Sequence, residues 1–160
     1  MAKGGIVLNS MEIDPAAVWA RVYAHTDGAP DKRPLSRDLA DWIRAEQQAT
    51  VTYYHIARLA GSDGATLRHM AQTCAGHSHK LLTLHYFLTG QRLSSTLPET
   101  VPTTELPSLL ADRYRAENAA AEAYQDAASC HPRHKALFET LAQESQRNAQ
   151  RLLQLAQRYI

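Results

Sequence analysis

Residues 39–53 read LADWIRAEQQATVTY, and LADRYRAENAAAEAY follows at 110–124, 71 residues later. The same offset carries on without a gap, pairing 39–85 with 110–156, and fifteen of those 47 positions are identical. Shared alanines could reflect composition alone. Leu39/Leu110, Asp41/Asp112, Arg44/Arg115, Glu46/Glu117 and Tyr53/Tyr124 could not. Two copies of one helical hairpin, related by a pseudo-two-fold axis, is the simplest reading.

Working outward from the repeat, Gly61 and the run Cys130-His131-Pro132 interrupt each copy once and split it into two helices. The predicted helices run from a Ser36 cap to about Ala60, from an Asp63 cap to about Thr89 with Gly90 as terminator, over about 105–129, and over about 133–159. The short breaks force antiparallel hairpins. The second helix should be about 37 Å long at 1.5 Å per residue, and the proline-bearing connection 91–104 can reach about 46–50 Å when extended. That connection can therefore cross the full length of a bundle. The predicted fold is all-α, an antiparallel four-helix bundle with one long crossover, spanning residues 36–160. Residues 1–35 form an N-terminal arm in which Asp14-Pro15 opens a short helix carrying Val18, Trp19 and Val22.

Composition limits the function. The net charge is +1, and the 17 Lys and Arg residues are scattered rather than clustered, which argues against nucleic acid or an anionic membrane as partner. No stretch has the roughly 18 consecutive apolar residues of a membrane span, and residues 1–10 lack the pattern of a signal peptide. Two cysteines, Cys74 and Cys130, make no disulfide framework. A cytoplasmic protein is expected, alone, as a homo-oligomer or with a protein partner.

Apolar positions stepping by three and four mark a buried seam on each helix. The first reads Leu39, Ile43, Glu46, Thr50, Tyr53, Ala57, Ala60; the third reads Leu110, Tyr114, Glu117, Ala121, Tyr124, Ala128. The second reads Leu67, Met70, Cys74, His77, Leu81, Leu84, Leu88; the fourth reads Phe138, Leu141, Ser145, Asn148, Leu152, Leu155. Each seam is apolar at its ends and polar at its middle. Glu46, Cys74, His77, Glu117, Ser145 and Asn148 should thus converge. A buried carboxylate without a partner costs several kcal/mol, so the two glutamates must be paired, metal-bound or protonated.

The frame Glu-x-x-Ala-x-x-x-Tyr at Glu46–Tyr53 and Glu117–Tyr124 resembles the first and third helices of rubrerythrin-like and bacterioferritin-like members of the ferritin-like superfamily. The resemblance covers about residues 36–158. In that family the second and fourth helices carry Glu-x-x-His, whose glutamates bridge two irons while the remaining glutamates and the histidines hold each iron terminally. Carried over, the resemblance makes Glu46, His77 and Glu117 candidate metal ligands. Cys74 and Ser145 stand at the bridging positions, and Asn148 stands at the second histidine. With both bridges replaced, an intact di-iron centre is not expected.

Two readings follow. One is a non-catalytic binding or structural protein whose carboxylates are satisfied by His77, Asn148, Ser145, Tyr53 and Tyr124. The other is a metalloprotein holding a single iron or other divalent metal through Glu46, His77 and Glu117, with Cys74 as a further donor, and redox-active in the manner of a non-haem iron oxidoreductase. Glu144 lies about 100° around its helix from the seam and is expected to face a neighbour or solvent. His69, His79 and His85 are expected on the surface, and His131 and His134 at a turn.

Overall fold

The structure is a computed structural model that describes residues 34–94, 101 and 105–159. The predicted arm helix and most of the 91–104 connection lie outside the described residues. The described chain consists of four long helices, α1 (Leu35–Leu59), α2 (Gly64–Thr89), α3 (Leu106–Cys130) and α4 (Lys135–Ala156). None of them is long and apolar enough to cross a membrane. One 3-10 turn joins each hairpin, Gly61–Asp63 between α1 and α2 and Pro132–His134 between α3 and α4.

The helix ends depart from the predicted caps in an instructive way. Pro34, not Ser36, precedes α1, and Asp63 makes no side-chain capping bond to α2. The Asp63 carboxylate is engaged elsewhere: it accepts from Arg158 and from the Tyr159 hydroxyl at the end of α4, and Tyr159 also donates to the Ala60 carbonyl. The C-terminal segment thus clasps the α1–α2 turn. Gly90 does terminate α2, with φ 69° and its N–H on the Tyr86 carbonyl, a left-handed position that favours glycine. At the head of α2 the backbones close up: a Cβ on Gly64 would sit 2.6 Å from the Ala57 carbonyl oxygen.

The helices pack most closely within each hairpin, and the two hairpins meet through α1 against α3 and α2 against α4. Direction follows from the side chains. Tyr53 reaches Glu117 and Tyr124 reaches Glu46, so α1 and α3 run antiparallel. Since each hairpin is itself antiparallel, α2 and α3 run parallel, and the connection from Gly90 to Glu105 joins opposite ends of the bundle.

The core divides into two apolar clusters around the polar middle. At one end Leu39, Trp42, Ile43, Leu81, Leu84, Ala127 and Phe138 pack together. At the other Ile56, Leu67, Met70, Leu109, Leu110, Leu152 and Leu155 do the same. The predicted seams are buried, with three departures: Thr50 and Tyr114 are half-buried and Leu88 is 46% exposed at the frayed end of α2. Thr50 turns its hydroxyl back onto the Glu46 carbonyl. Each of α1 and α3 also buries a second stripe that a single seam does not capture. It comprises Trp42, Ala45, Ala49, Thr52 and Ile56 on α1, and Arg113, Ala116, Ala120, Ala123 and Ala127 on α3. The members of the two stripes are again 71 residues apart.

Candidate functional site

All six seam interruptions are buried in the middle of the bundle, each at most 4% exposed. Glu46 Oε1 accepts from the Tyr124 hydroxyl at 2.7 Å and faces His77 Nδ1 at 3.1 Å. Glu117 Oε1 accepts from the Tyr53 hydroxyl at 2.6 Å, from Arg113 Nη2 at 3.1 Å and, more distantly, from the Cys74 thiol at 3.8 Å. The two tyrosine bonds are reciprocal between α1 and α3, each helix lending a hydroxyl to the other's carboxylate. A two-fold relation between the hairpins would produce that pattern.

The cations differ between the halves. Glu46 is paired with His77 from α2, while Glu117 is paired with Arg113, one turn earlier on its own helix. The counterpart of Arg113 under the 71-residue offset is Trp42. Trp42 packs edge-on to Tyr124 with ring centroids 5.5 Å apart, whereas the Arg113 guanidinium lies over the Tyr53 ring at 4.8 Å. An aromatic edge in one half is thus replaced by a cation–π contact in the other.

Electrostatics follow from burial and pairing. Burial disfavours the charged form of His77, but the Glu46 carboxylate and the bonds to Glu46 and Glu144 outweigh it and push its pKa up to about 9. His77 is therefore an imidazolium at neutral pH, with both ring nitrogens donating. Burial likewise opposes ionisation of Glu46, yet His77 and Tyr124 hold its carboxyl below the usual carboxylate range. Burial, which Arg113 offsets only in part, leaves the Glu117 carboxyl above that range. Burial also pushes up Cys74, Tyr53 and Tyr124, so thiol and phenols stay protonated.

Glu144 does face a neighbour. Its carboxylate is 31% exposed and accepts from His77 Nε2 at 2.8 Å, with Lys80 Nζ 3.5 Å away. His77 thus connects the buried Glu46 to the surface between α2 and α4. Three buried polar atoms have no hydrogen-bond partner among the described residues: Ser145 Oγ, Asn148 Nδ2 and Arg113 Nε. Of the surface histidines, His69 and His79 are exposed as expected. His85 is a correction: it is 6% exposed, with its Nδ1 3.4 Å from the Thr89 hydroxyl. It lies seven residues beyond the buried Ser78, on a stripe whose next turn is covered. His131 and His134 are half-buried at the α3–α4 turn.

The residues can be tested against a two-metal centre. Metal-bridging carboxylates are replaced by a protonated thiol at Cys74 and a hydroxyl at Ser145. A metal-ligating histidine must offer a lone pair, and both nitrogens of His77 are committed to carboxylates. Glu117 already carries a cation on the oxygen that Tyr53 also uses. The donor set does not fit a pair of metal ions, and no chemistry is derived through one. Among the described residues, no three His, Cys, Asp or Glu side chains are arranged to hold a metal ion.

Arg113 is the functional residue that seam reading missed. It lies off the three-four seam, and the arginine at 113 stands where the first copy has tryptophan, which was the available signal. A comparison with family models, curated proteins and solved structures finds no match.

Proposed function

We propose that this chain is a ferritin-like scaffold in which internal ion pairs replace the metal site, and that it serves as a non-catalytic binding or structural protein. The observation that carries this reading is that both buried carboxylates already have a tyrosine hydroxyl and a side-chain cation from the chain itself. The parallel course of α2 and α3 and the reciprocal tyrosine–glutamate bonds support the ferritin-like part, alongside the sequence frame around Glu46 and Glu117. The duplication accounts for both with one ancestral hairpin.

A cluster of this kind suits rigidity better than turnover. Its phenols and thiol are protonated and its acids are paired, so no group is poised as nucleophile or base. Function then lies on the surface, with a second copy of the chain or another protein as partner, in the cytoplasm. The second reading, one divalent ion held by Glu46, His77 and Glu117, draws on the unpartnered Ser145 Oγ and Asn148 Nδ2 in the same seam.

Elemental analysis of protein purified from cells grown with added iron, manganese and zinc decides between them. The scaffold reading expects well under one metal ion per chain and no ferrous oxidation above buffer. One tightly held ion per chain would establish the second reading instead.

A further inference from the structure

We propose that Arg113 is a tethered counter-ion for Glu117 that takes the place of an external cation and closes the core to divalent metal ions. The inference rests on the scaffold reading above and adds the residue that enforces it.

Three observations converge on Arg113. Its side chain is 7% exposed, which for an arginine in a helical core requires a specific partner, and that partner is Glu117 Oε1 at 3.1 Å. Its guanidinium plane is fixed by the Tyr53 ring at 4.8 Å, and Tyr53 in turn donates to the same Glu117 oxygen. The three groups form a closed triangle. The other half of the bundle has no such triangle: at the position 71 residues earlier stands Trp42, and the balancing charge comes from His77 on another helix. His77 has no charged counterpart, because its equivalent is Asn148. The half that lacks a histidine is the half that gained an arginine. Two carboxylates are thus matched by two cations without any bound ion.

The test uses full-length protein and cobalt(II) as probe, in melts of the parent, Arg113→Leu, Glu117→Leu and the Arg113→Leu/Glu117→Leu double variant. Without metal, Arg113→Leu should melt about 10 °C or more below the parent, because it leaves a buried carboxylate bare. The double variant should recover most of that loss, since it removes the bare charge as well. Excess cobalt(II) should raise the melt of Arg113→Leu and leave the parent and the double variant unmoved.

If the double variant melts no higher than Arg113→Leu, Arg113 is a packing residue and the counter-ion assignment falls. If Arg113→Leu folds but ignores cobalt(II), Arg113 does not close a cation site. Should Arg113→Leu fail to fold, the double variant decides: folding supports the assignment, and failure overturns it. Metal in the parent protein would instead sink the scaffold reading, and the metal-free comparison of single and double variants would still judge Arg113.

Discussion

His77 is held from both sides, by Glu46 inside and by Glu144 at the surface, and its charge is the most pH-sensitive element of the bundle. Its pKa is about 9 in the folded chain against the model value of 6.5. A raised value means that the folded state binds the proton more tightly. The stabilisation is fully present below about pH 6.5, declines as pH rises through the window, and is gone above about pH 9. Its ceiling is about 3 kcal/mol. Thermal melts between pH 6 and 10 should show the parent losing stability across that window. A His77→Gln variant should start lower and lose this slope. Parallel curves for the two proteins would mean that His77 does not carry the charge. The tyrosines offer a second check at this scale. Tyr53→Phe and Tyr124→Phe each remove a bond to a buried carboxylate, and each should cost about 1–3 kcal/mol in denaturant unfolding. A cost near zero at both positions would remove the hydroxyls from any part in holding the charges.

At the scale of the helices, much was legible before any coordinates. The four elements, their breaks and the six polar interruptions follow from one apolar period and the 71-residue offset. Parallel α2 and α3 were foreshadowed by the length of the connection. What stayed hidden shares one cause: a helix packed on two neighbours buries two stripes, and a three-four pattern shows only the stripe with larger apolar residues. Arg113 lies on the second stripe of α3 among alanines, which composition alone does not distinguish from an exposed face. Glu144 and His85 were missed for a related reason, because reach across a helix boundary depends on side-chain length and not on register. The α1–α2 turn makes a testable element on its own. Gly64→Ala should destabilise by about 1–3 kcal/mol, because the new methyl meets the Ala57 carbonyl and backbone cannot step aside. If Gly64→Ala instead gains the few tenths to 1 kcal/mol expected from better helix propensity, the close approach is not maintained in solution.

At the scale of the molecule, the parallel course of α2 and α3 makes the connection between them a structural requirement. α2 has 26 residues and is about 39 Å long. Deleting residues 95–102 leaves six residues between Gly90 and Glu105, which reach about 25 Å when extended. The shortened chain should fail to form the monomeric bundle, appearing by light scattering as exchanged oligomers or by circular dichroism as unfolded protein. A shortened monomer with the parental melt would show that the helix directions are wrong.

The reciprocal bonds between α1 and α3 have a consequence for how the chain folds. Each hairpin contributes one carboxylate and one phenol to the centre, and each phenol's acceptor belongs to the other hairpin. Neither hairpin can satisfy its own buried acid with its own tyrosine. A half-molecule would be left with an under-solvated charge and an idle hydroxyl, so half-formed intermediates are penalised from both sides. Handshaking of this kind makes the two halves of a tandem repeat, which could otherwise melt one after the other, behave as one cooperative unit.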